Sequence, residues 1–103
     1  MSPVPFTPEP TRDEVDAMAG VVLLEFGINE CPHCQAAQPL IADALKRHPE
    51  VKHLRIEDGR GRRLGRAFSV KLWPALIFLK DGQELARVLR PTTQPEVDAV
   101  LNG

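Results

Sequence analysis

The sequence has little cysteine, little net charge and no long apolar run. Its 103 residues include two cysteines, and the formal net charge is −1. A nearly neutral protein lacks the strong field that attracts nucleic acid or an acidic membrane, so we expect neither as a partner. The first apolar run, "VVLLEF", begins at Val21. It predicts neither a signal-peptide core nor a membrane span of about 20 residues. We therefore predict a cytoplasmic protein, with residues 1–103 folded as a single domain.

Proline and capping residues predict the first elements. Residues 1–10 are rich in proline and predict an extended, mobile lead-in. Thr11 and Glu14 form the pattern of a capping box, which predicts a short helix that ends at about Met18. The unbroken apolar run over residues 21–26 is typical of a strand that is covered on both faces and lies centrally in its sheet.

A helix, a strand and a weaker helix are predicted next. Helix formers follow Pro32 as far as about Arg47, and Pro39 inside this helix should kink it. "VKHLRIE" alternates apolar and polar residues as a strand does, and "GRRLGRAFSV" predicts a short helix between glycines.

The last third of the chain predicts a hairpin and a helix. "ALIFLK" and "QELARVL" read as strands joined by the turn pair Asp81 and Gly82. Thr93 and Glu96 form a second capping box, which opens a helix to about Leu101. Strands wound through helices and closed by an antiparallel pair predict an α/β fold, a three-layer α/β/α sandwich around a mixed sheet.

The two cysteines lie in "NECPHCQAAQP", where the predicted central strand leads into a helix. Cys31 should therefore be the N-cap residue, with free backbone N–H groups near its sulfur. Such a position lowers a thiol pKa from about 8.5 to roughly 3.5–7.5 and makes the sulfur nucleophilic at neutral pH. Cys34 follows one helical turn later, close enough to form a disulfide with Cys31.

Three other uses of the cysteines remain open at this point. Zinc requires about four ligands, and the spacing of His33, His48 and His53 does not obviously complete a set. A c-type haem would need histidine where Gln35 stands. Inert, buried thiols are a third alternative, because free cysteine often packs as a small apolar residue.

From "VVLLEFGINECPHCQAAQP" through "VKLWPALIFLKDGQELARV" the chain resembles the thioredoxin family. The resemblance implies the thioredoxin fold, with Cys31 as the attacking nucleophile and Cys34 as the resolving thiol. It places the family's helix-kinking proline at Pro39. It also places at Pro74 the cis-proline that lies against the sulfurs and receives substrate backbone.

Glu25 stands six residues before the nucleophile, where the family keeps an acidic proton acceptor for the resolving thiol. A carboxylate inside an apolar strand is costly to bury in its charged form. We therefore expect either a shift toward the protonated form or a water-filled niche. The alternative is a solvated side chain at a strand end.

Several residues depart from the usual family pattern. Glu30 replaces a tryptophan and opposes ionisation of Cys31, whereas His33 favours it. Arg90 replaces a glycine that lines the substrate groove, and Trp73 either lines that groove or packs as an ordinary aromatic side chain. Gly27 replaces an aromatic residue after the strand.

The pair Pro32 and His33 resembles that of the periplasmic disulfide-forming oxidases more than the Gly-Pro pair of ordinary thioredoxins. This predicts a reduction potential above the roughly −270 mV of thioredoxin and toward about −120 mV.

Elsewhere, a basic cluster of Arg60, Arg62, Arg66 and their neighbours Arg63 and Lys71 is either a solvated face or a docking patch for an acidic protein or nucleic acid.

These features together predict a thiol–disulfide oxidoreductase that exchanges electrons with protein disulfides through a mixed disulfide. We expect no metal and no cofactor beyond the redox-active pair of Cys31 and Cys34. The expected partners are disulfide-containing protein substrates and a recycling reductase, with the protein itself a monomer. A redox-sensing or partner-binding module with little turnover is the alternative function.

Overall fold

Helices and strands follow one another in the predicted order. The computed structural model describes residues 5–103. Its elements are α1 (Arg12–Asp16), β1 (Val21–Gly27), α2 (Pro32–Lys46), β2 (Lys52–Glu57), α3 (Arg63–Ala67), β3 (Ala75–Lys80), β4 (Gln83–Leu89) and α4 (Gln94–Leu101).

The strands form one mixed sheet in the order β2-β1-β3-β4. Strand β1 pairs in parallel with β2 and antiparallel with β3, and β4 pairs antiparallel with β3. The prediction that residues 21–26 form a central strand is therefore confirmed. Because β1 has a neighbour on both sides and helices on both faces, its apolar side chains are buried without alternation.

Two apolar cores cover the two faces of the sheet. Alternate residues of β1 divide between them, with Leu24 in one core and Leu23 in the other. Helices α1 and α3 contribute Val15 and Leu64 to the first core, and α2 packs Ile41 in the second, together with residues of α4. The predicted three-layer α/β/α arrangement is confirmed.

Both predicted capping boxes are present. The Thr11 hydroxyl accepts a hydrogen bond from the Glu14 backbone N–H at 3.1 Å, and the Glu14 carboxylate accepts one from the Thr11 backbone N–H at 2.8 Å. Thr93 and Glu96 repeat the arrangement at α4. Helix α1 ends at Asp16, two residues earlier than predicted.

The turn between β3 and β4 requires its glycine. Asp81 and Gly82 both have positive φ, 50° and 83°, as the two central residues of a type I′ turn do. A Cβ atom on Gly82 would lie 2.0 Å from the carbonyl oxygen of Asp16. Only glycine fits this position, which also brings the hairpin against the end of α1.

Part of the predicted lead-in is attached to the sheet. The Thr7 backbone N–H donates to the Arg55 carbonyl at 2.7 Å, and the Arg55 guanidinium lies 4.2 Å from the centre of the Phe6 ring. The sequence did not predict this contact with edge strand β2. Residues 1–4 of the lead-in lie outside the described residues. Within residues 5–103, no helix combines the length and the apolarity that a membrane span requires.

Candidate active site

Both cysteines lie where β1 leads into α2. Cys31 is the N-cap residue of α2, as predicted, with extended backbone at φ −79° and ψ 121°. Pro32 occupies the first turn, where its missing N–H removes no helical hydrogen bond. Cys31 is partly exposed, Cys34 is 1% exposed, and both are free thiols. A substrate can therefore reach Cys31 but not Cys34.

The environment of Cys31 favours its thiolate. Partial burial alone would raise its pKa, but hydrogen bonds outweigh this effect and hold the pKa below the ordinary 9.0. The backbone N–H groups of Cys34 and His33 donate to the sulfur, and the Cys34 thiol donates as well. The positive charge of Arg90 lowers the pKa further. These are the unsatisfied N–H groups of a helix start, used to hold a negative sulfur.

The environment of Cys34 disfavours ionisation. Burial raises its pKa to about 11, although a backbone hydrogen bond from Ile28 opposes the shift. The hydrogen bond to Cys31 and the negative charges of Cys31 and Glu25 contribute to the same rise. Cys34 is thus a neutral thiol near pH 7, and it must lose a proton before it can attack another sulfur.

Gly27 makes room for the resolving sulfur. A Cβ atom at this position would lie 2.5 Å from Cys34 Sγ and 4.0 Å from the Cα atom of Pro74. The buried sulfur therefore packs directly against the backbone at the end of β1, close to Pro74. Glycine in place of the family's aromatic residue is therefore required at residue 27, because no side chain fits beside the Cys34 sulfur.

Glu25 is buried beside α2 and fully surrounded by polar partners. Its side chain is 2% exposed, and its Oε1 atom lies 2.8 Å from His53 Nε2. Its Oε2 atom accepts hydrogen bonds from Gln38 Nε2 at 2.5 Å and Arg55 Nε at 3.3 Å. Gln38 also donates to the Cys34 carbonyl at 3.3 Å. The amide of Gln38 thus connects the carboxylate to the turn that carries the resolving thiol.

The structure gives Glu25 partners that the sequence did not predict, a guanidinium, an imidazole and an amide. The expected shift toward the protonated form stays a prediction. The alternative of a solvated strand end is wrong, because the side chain is buried. Gln38 could have been found from its position four residues after Cys34, on the same side of α2. His53 and Arg55 required the pairing of β2 with β1, where Arg55 stands opposite Glu25.

A second group of side chains surrounds the loop before β3. The peptide bond between Trp73 and Pro74 is cis, as the family resemblance implied. The Trp73 indole N–H donates to Asp58 Oδ2 at 2.8 Å, a contact that the sequence did not predict. Arg90 donates from its backbone to the Pro74 carbonyl and from Nε to the Trp73 carbonyl, both at 2.9 Å.

Arg90 has the backbone conformation of a glycine. Its φ is 50°, in the left-handed region that glycine occupies without strain, which explains why the family commonly has glycine there. The arginine adds a positive charge that acts on Cys31. That Arg90 charges a substrate groove stays a prediction.

Four further predicted residues, Glu30, Pro32, His33 and Pro39, lie close to the thiols in the chain. Glu30, Pro32 and His33 are exposed. His33 acts on Cys31 through its backbone N–H, and its imidazole makes no hydrogen bond or ion pair within residues 5–103. Tuning of Cys31 by the side chains of Glu30 and His33 stays a prediction. Pro39 lies inside an unbroken α2, and the kink that we expected there also stays a prediction.

The arrangement is suited to sulfur chemistry. An accessible thiol that ionises readily stands beside a buried thiol that does not, with a carboxylate near the second. The first can attack a disulfide and the second can displace it afterwards. In the described part of the chain, no three His, Cys, Asp or Glu side chains are grouped so that they could hold a metal ion.

Comparison with known proteins agrees with this geometry. A family model described as Thioredoxin matches residues 3–102. The reduced form of thioredoxin 2 from Pseudomonas aeruginosa PAO1 is 52% identical, with a TM-score of 0.85 over 94% of this chain and 91% of that one. Thioredoxin H-type 1 from Nicotiana tabacum is 30% identical over 67% of this chain.

The match to the tobacco protein spans 55% of that relative's length. A thioredoxin H-type from Oryza sativa subsp. indica is 28% identical over 76% of this chain and 70% of its own length. The family model, by contrast, covers all four strands and the loop that carries Pro74. The chain therefore belongs to the thioredoxin family.

Proposed function

We propose that this protein is a thiol–disulfide oxidoreductase that exchanges electrons with disulfides of other proteins. One observation carries the proposal: Cys31 is accessible at the N-cap of α2, which lowers its pKa, while the adjacent Cys34 is buried, which raises its pKa to about 11. This difference assigns the two sulfurs different tasks. Cys31 attacks, and Cys34 waits as a neutral thiol until a substrate sulfur is attached to Cys31.

The exchange proceeds in two balanced steps. The Cys31 thiolate forms a bond to one sulfur of the substrate disulfide, whose S–S bond breaks, and the released substrate thiolate takes up a proton. Cys34 then loses its proton and attacks Cys31, which releases the second substrate thiolate, and that thiolate is protonated in turn. The substrate gains two electrons and two protons, while the protein is left with a Cys31–Cys34 disulfide.

Glu25 is proposed as the acceptor of the Cys34 proton. It is the carboxylate whose negative charge raises the pKa of Cys34, so the two groups interact electrostatically. Oε2 already accepts two hydrogen bonds, whereas Oε1 has one contact within residues 5–103, with His53, and so retains a lone pair that can accept the proton. Removal of the Cys34 proton is needed only in the second step, which confines the role of Glu25 to resolution of the mixed disulfide.

The proposed cycle also requires a partner that reduces the protein again. A reductase that returns electrons to the Cys31–Cys34 disulfide completes the cycle, and no resident cofactor is required for either step. We propose a cytoplasmic location, a reducing compartment in which the Cys31–Cys34 pair would not persist as a structural disulfide and would be available for exchange. We also propose that the protein acts as a monomer.

The groove side chains Trp73, Pro74 and Arg90 receive the substrate backbone beside Cys31.

Reduction of insulin disulfides tests the proposed function. The wild type should turn over with a thiol reductant, Cys31→Ser should be inactive, and Cys34→Ser should accumulate a covalent complex with substrate. Mass spectrometry of that complex identifies the linked sulfur, which should be that of Cys31. A wild type that binds partners but shows no turnover would instead favour the redox-sensing module.

A further inference from the structure

A basic pocket lies beside the substrate groove. It has a volume of about 360 Å³ and is open to solvent, and its polar lining includes Asp58, Arg60, Arg62, Arg66, Lys71 and the indole of Trp73. Four cationic side chains thus face one carboxylate. The pocket gathers most of the basic cluster that the sequence showed into one concave surface.

The single carboxylate of the pocket is already engaged. Asp58 accepts the Trp73 indole N–H at 2.8 Å. It is also packed against Gly65, where an added Cβ atom would lie 2.2 Å from Asp58 Oδ1. Asp58 is therefore part of the pocket wall, where its carboxylate holds the Trp73 indole in place.

Most of the cationic side chains of the pocket have no partner among residues 5–103. Arg62 pairs with Glu57 at 2.8 Å, but both side chains are 45% exposed, so solvent weakens that pair. The side chains of Arg60, Arg66 and Lys71 are exposed and make no hydrogen bond or ion pair with any residue between 5 and 103. The pocket therefore presents uncompensated positive charge in a chain whose net charge is −1.

Trp73 connects this pocket to the reactive thiols. Its indole lines the pocket, and its carbonyl accepts a hydrogen bond from Arg90, whose charge acts on Cys31. Pro74, the next residue, lies near the Cys34 sulfur, since a Cβ atom on Gly27 would be 4.0 Å from Pro74 Cα and 2.5 Å from that sulfur. A substrate segment that crosses Pro74 would thus have its neighbouring residues within reach of the pocket.

We propose that the basic pocket binds acidic side chains of protein substrates, so that the protein selects disulfides with aspartate or glutamate nearby. This inference rests on the proposed function and specifies its substrate class. Guanidinium groups bind carboxylates through paired N–H donors, and charge complementarity increases the rate of encounter. Nucleic acid is the less suitable ligand, because phosphate backbones are bound by extended basic surfaces rather than by one small pocket.

The test uses three synthetic peptides with the same internal disulfide. One carries glutamates beside it, one glutamines and one lysines. At low ionic strength, kcat/KM for the glutamate peptide should exceed that for the glutamine peptide by about threefold to tenfold, with the lysine peptide below both. The advantage should largely disappear at 0.5 M salt, because exposed charges are screened.

A matched pair of triple variants assigns the effect to the pocket. The variant R60Q/R66Q/K71Q should reduce all three peptides at nearly the same rate. The control K46Q/K52Q/K80Q removes the same charge from exposed positions. Lys52 and Lys80 pair with the start of β1, away from Cys31, and Lys46 lies in the last turn of α2. This control should keep the preference for the glutamate peptide.

The fluorescence of Trp73 measures peptide binding independently of turnover. It is the sole tryptophan of a chain without tyrosine, so its fluorescence reports on the pocket. A glutamate peptide without cysteine should change that fluorescence in the control variant but not in R60Q/R66Q/K71Q. The same change with a single-stranded oligonucleotide, and none with the peptide, would overturn the proposal in favour of nucleic acid.

The outcomes separate the inference from the function on which it rests. Reduction of all three peptides at equal rates by the wild type would overturn the inference and leave the oxidoreductase intact. Failure to reduce any of them would contradict the proposed function and the inference with it. A preference that persists in R60Q/R66Q/K71Q would place selection elsewhere, with Arg90 as the next residue to change.

Discussion

The Oε1 atom of Glu25 lies 2.8 Å from His53 Nε2, and the two side chains differ in their access to solvent. Glu25 is 2% exposed and His53 is 14% exposed. The imidazole thus lies between a buried carboxylate and the surface, and histidine exchanges protons readily near neutral pH. If Glu25 accepts the Cys34 proton, as we propose, His53 offers that proton a route to solvent.

Replacing Glu25 with glutamine should slow resolution of the mixed disulfide. The amide cannot accept the Cys34 proton, so we expect the rate of the second step to fall about 10²-fold, while formation of the mixed disulfide is little changed. Rapid-quench kinetics with a chromogenic disulfide would separate the two steps. Glu84→Gln, which changes a carboxylate paired with Arg87 away from the thiols, is the control. Equal slowing of both steps would contradict the role of Glu25.

The same substitution should also weaken the fold. Removing one partner of a buried ion pair typically costs about 3–5 kcal/mol, and Glu25 contacts both Arg55 and His53. Denaturant unfolding of Glu25→Gln should therefore show a lower free energy of unfolding than Glu84→Gln. The kinetic comparison holds as long as Glu25→Gln retains wild-type far-ultraviolet circular dichroism at the assay temperature.

Alkylation of the reduced protein should distinguish the two sulfurs by pH. Thiolates react with iodoacetamide and thiols do not, so Cys31 should be modified with a midpoint below pH 9.0. Cys34 should stay unmodified until the pH approaches 11, since it ionises only there. Peptide mapping after timed alkylation measures both profiles. Modification of Cys34 at neutral pH, at a rate similar to that of Cys31, would be incompatible with the assigned tasks.

The sequence predicted the sheet and the position of the nucleophile because both depend on local patterns. The apolar run of β1, the capping boxes and the strand-to-helix placement of Cys31 can all be read from neighbouring residues. Contacts around Glu25 could not be read in this way. They depend on which residue of β2 stands opposite Glu25, and that register is set by packing over the whole sheet.

A similar limit applies to the groove. The link between Trp73 and Asp58 joins residues 15 apart whose proximity depends on the loops around α3. The sequence predicts tuning of Cys31 by the His33 imidazole, which stays a prediction, and it does not show that the His33 backbone N–H also lowers the pKa of Cys31. Backbone donors become visible only once the helix start is in place.

Gly27→Ala should destabilise the reduced protein. The added Cβ would overlap Cys34 Sγ at 2.5 Å, and overpacking in a close-packed interior typically costs about 1–3 kcal/mol. The control is the same change in a Cys34→Ala background, where the opposing sulfur is absent. The two substitutions should be strongly non-additive in denaturant unfolding. Additive effects would show that the sulfur is not what excludes a side chain at residue 27.

Arg90→Gly should raise the pKa of Cys31. The substitution removes a positive charge that favours the thiolate, and glycine accepts the backbone φ of 50° without strain. Because Arg90 is exposed, we expect the rise to be small and to vanish in 1 M salt. Arg90→Lys keeps the charge and should keep the wild-type alkylation midpoint. A midpoint shift in Arg90→Lys equal to that in Arg90→Gly would assign the effect to the guanidinium contact with Trp73.

The backbone donor at residue 33 should help to set the reduction potential. Proline at this position has no N–H, so P32G/H33P loses one hydrogen bond to the Cys31 thiolate, whereas P32G/H33A keeps it. A hydrogen bond to a charged group is worth about 1.5–3 kcal/mol, which corresponds to a potential lower by roughly 30–60 mV in the proline variant.

Equilibration with glutathione couples would measure the potentials. We expect the wild type to lie above about −270 mV, with P32G/H33A close to it and P32G/H33P clearly lower. If P32G/H33A falls as far as the proline variant, the His33 imidazole rather than its backbone N–H stabilises the reduced form. A wild-type potential at or below that of thioredoxin would contradict the oxidase-like interpretation of the Pro32–His33 pair itself. The protein would then act as a reductant despite that pair.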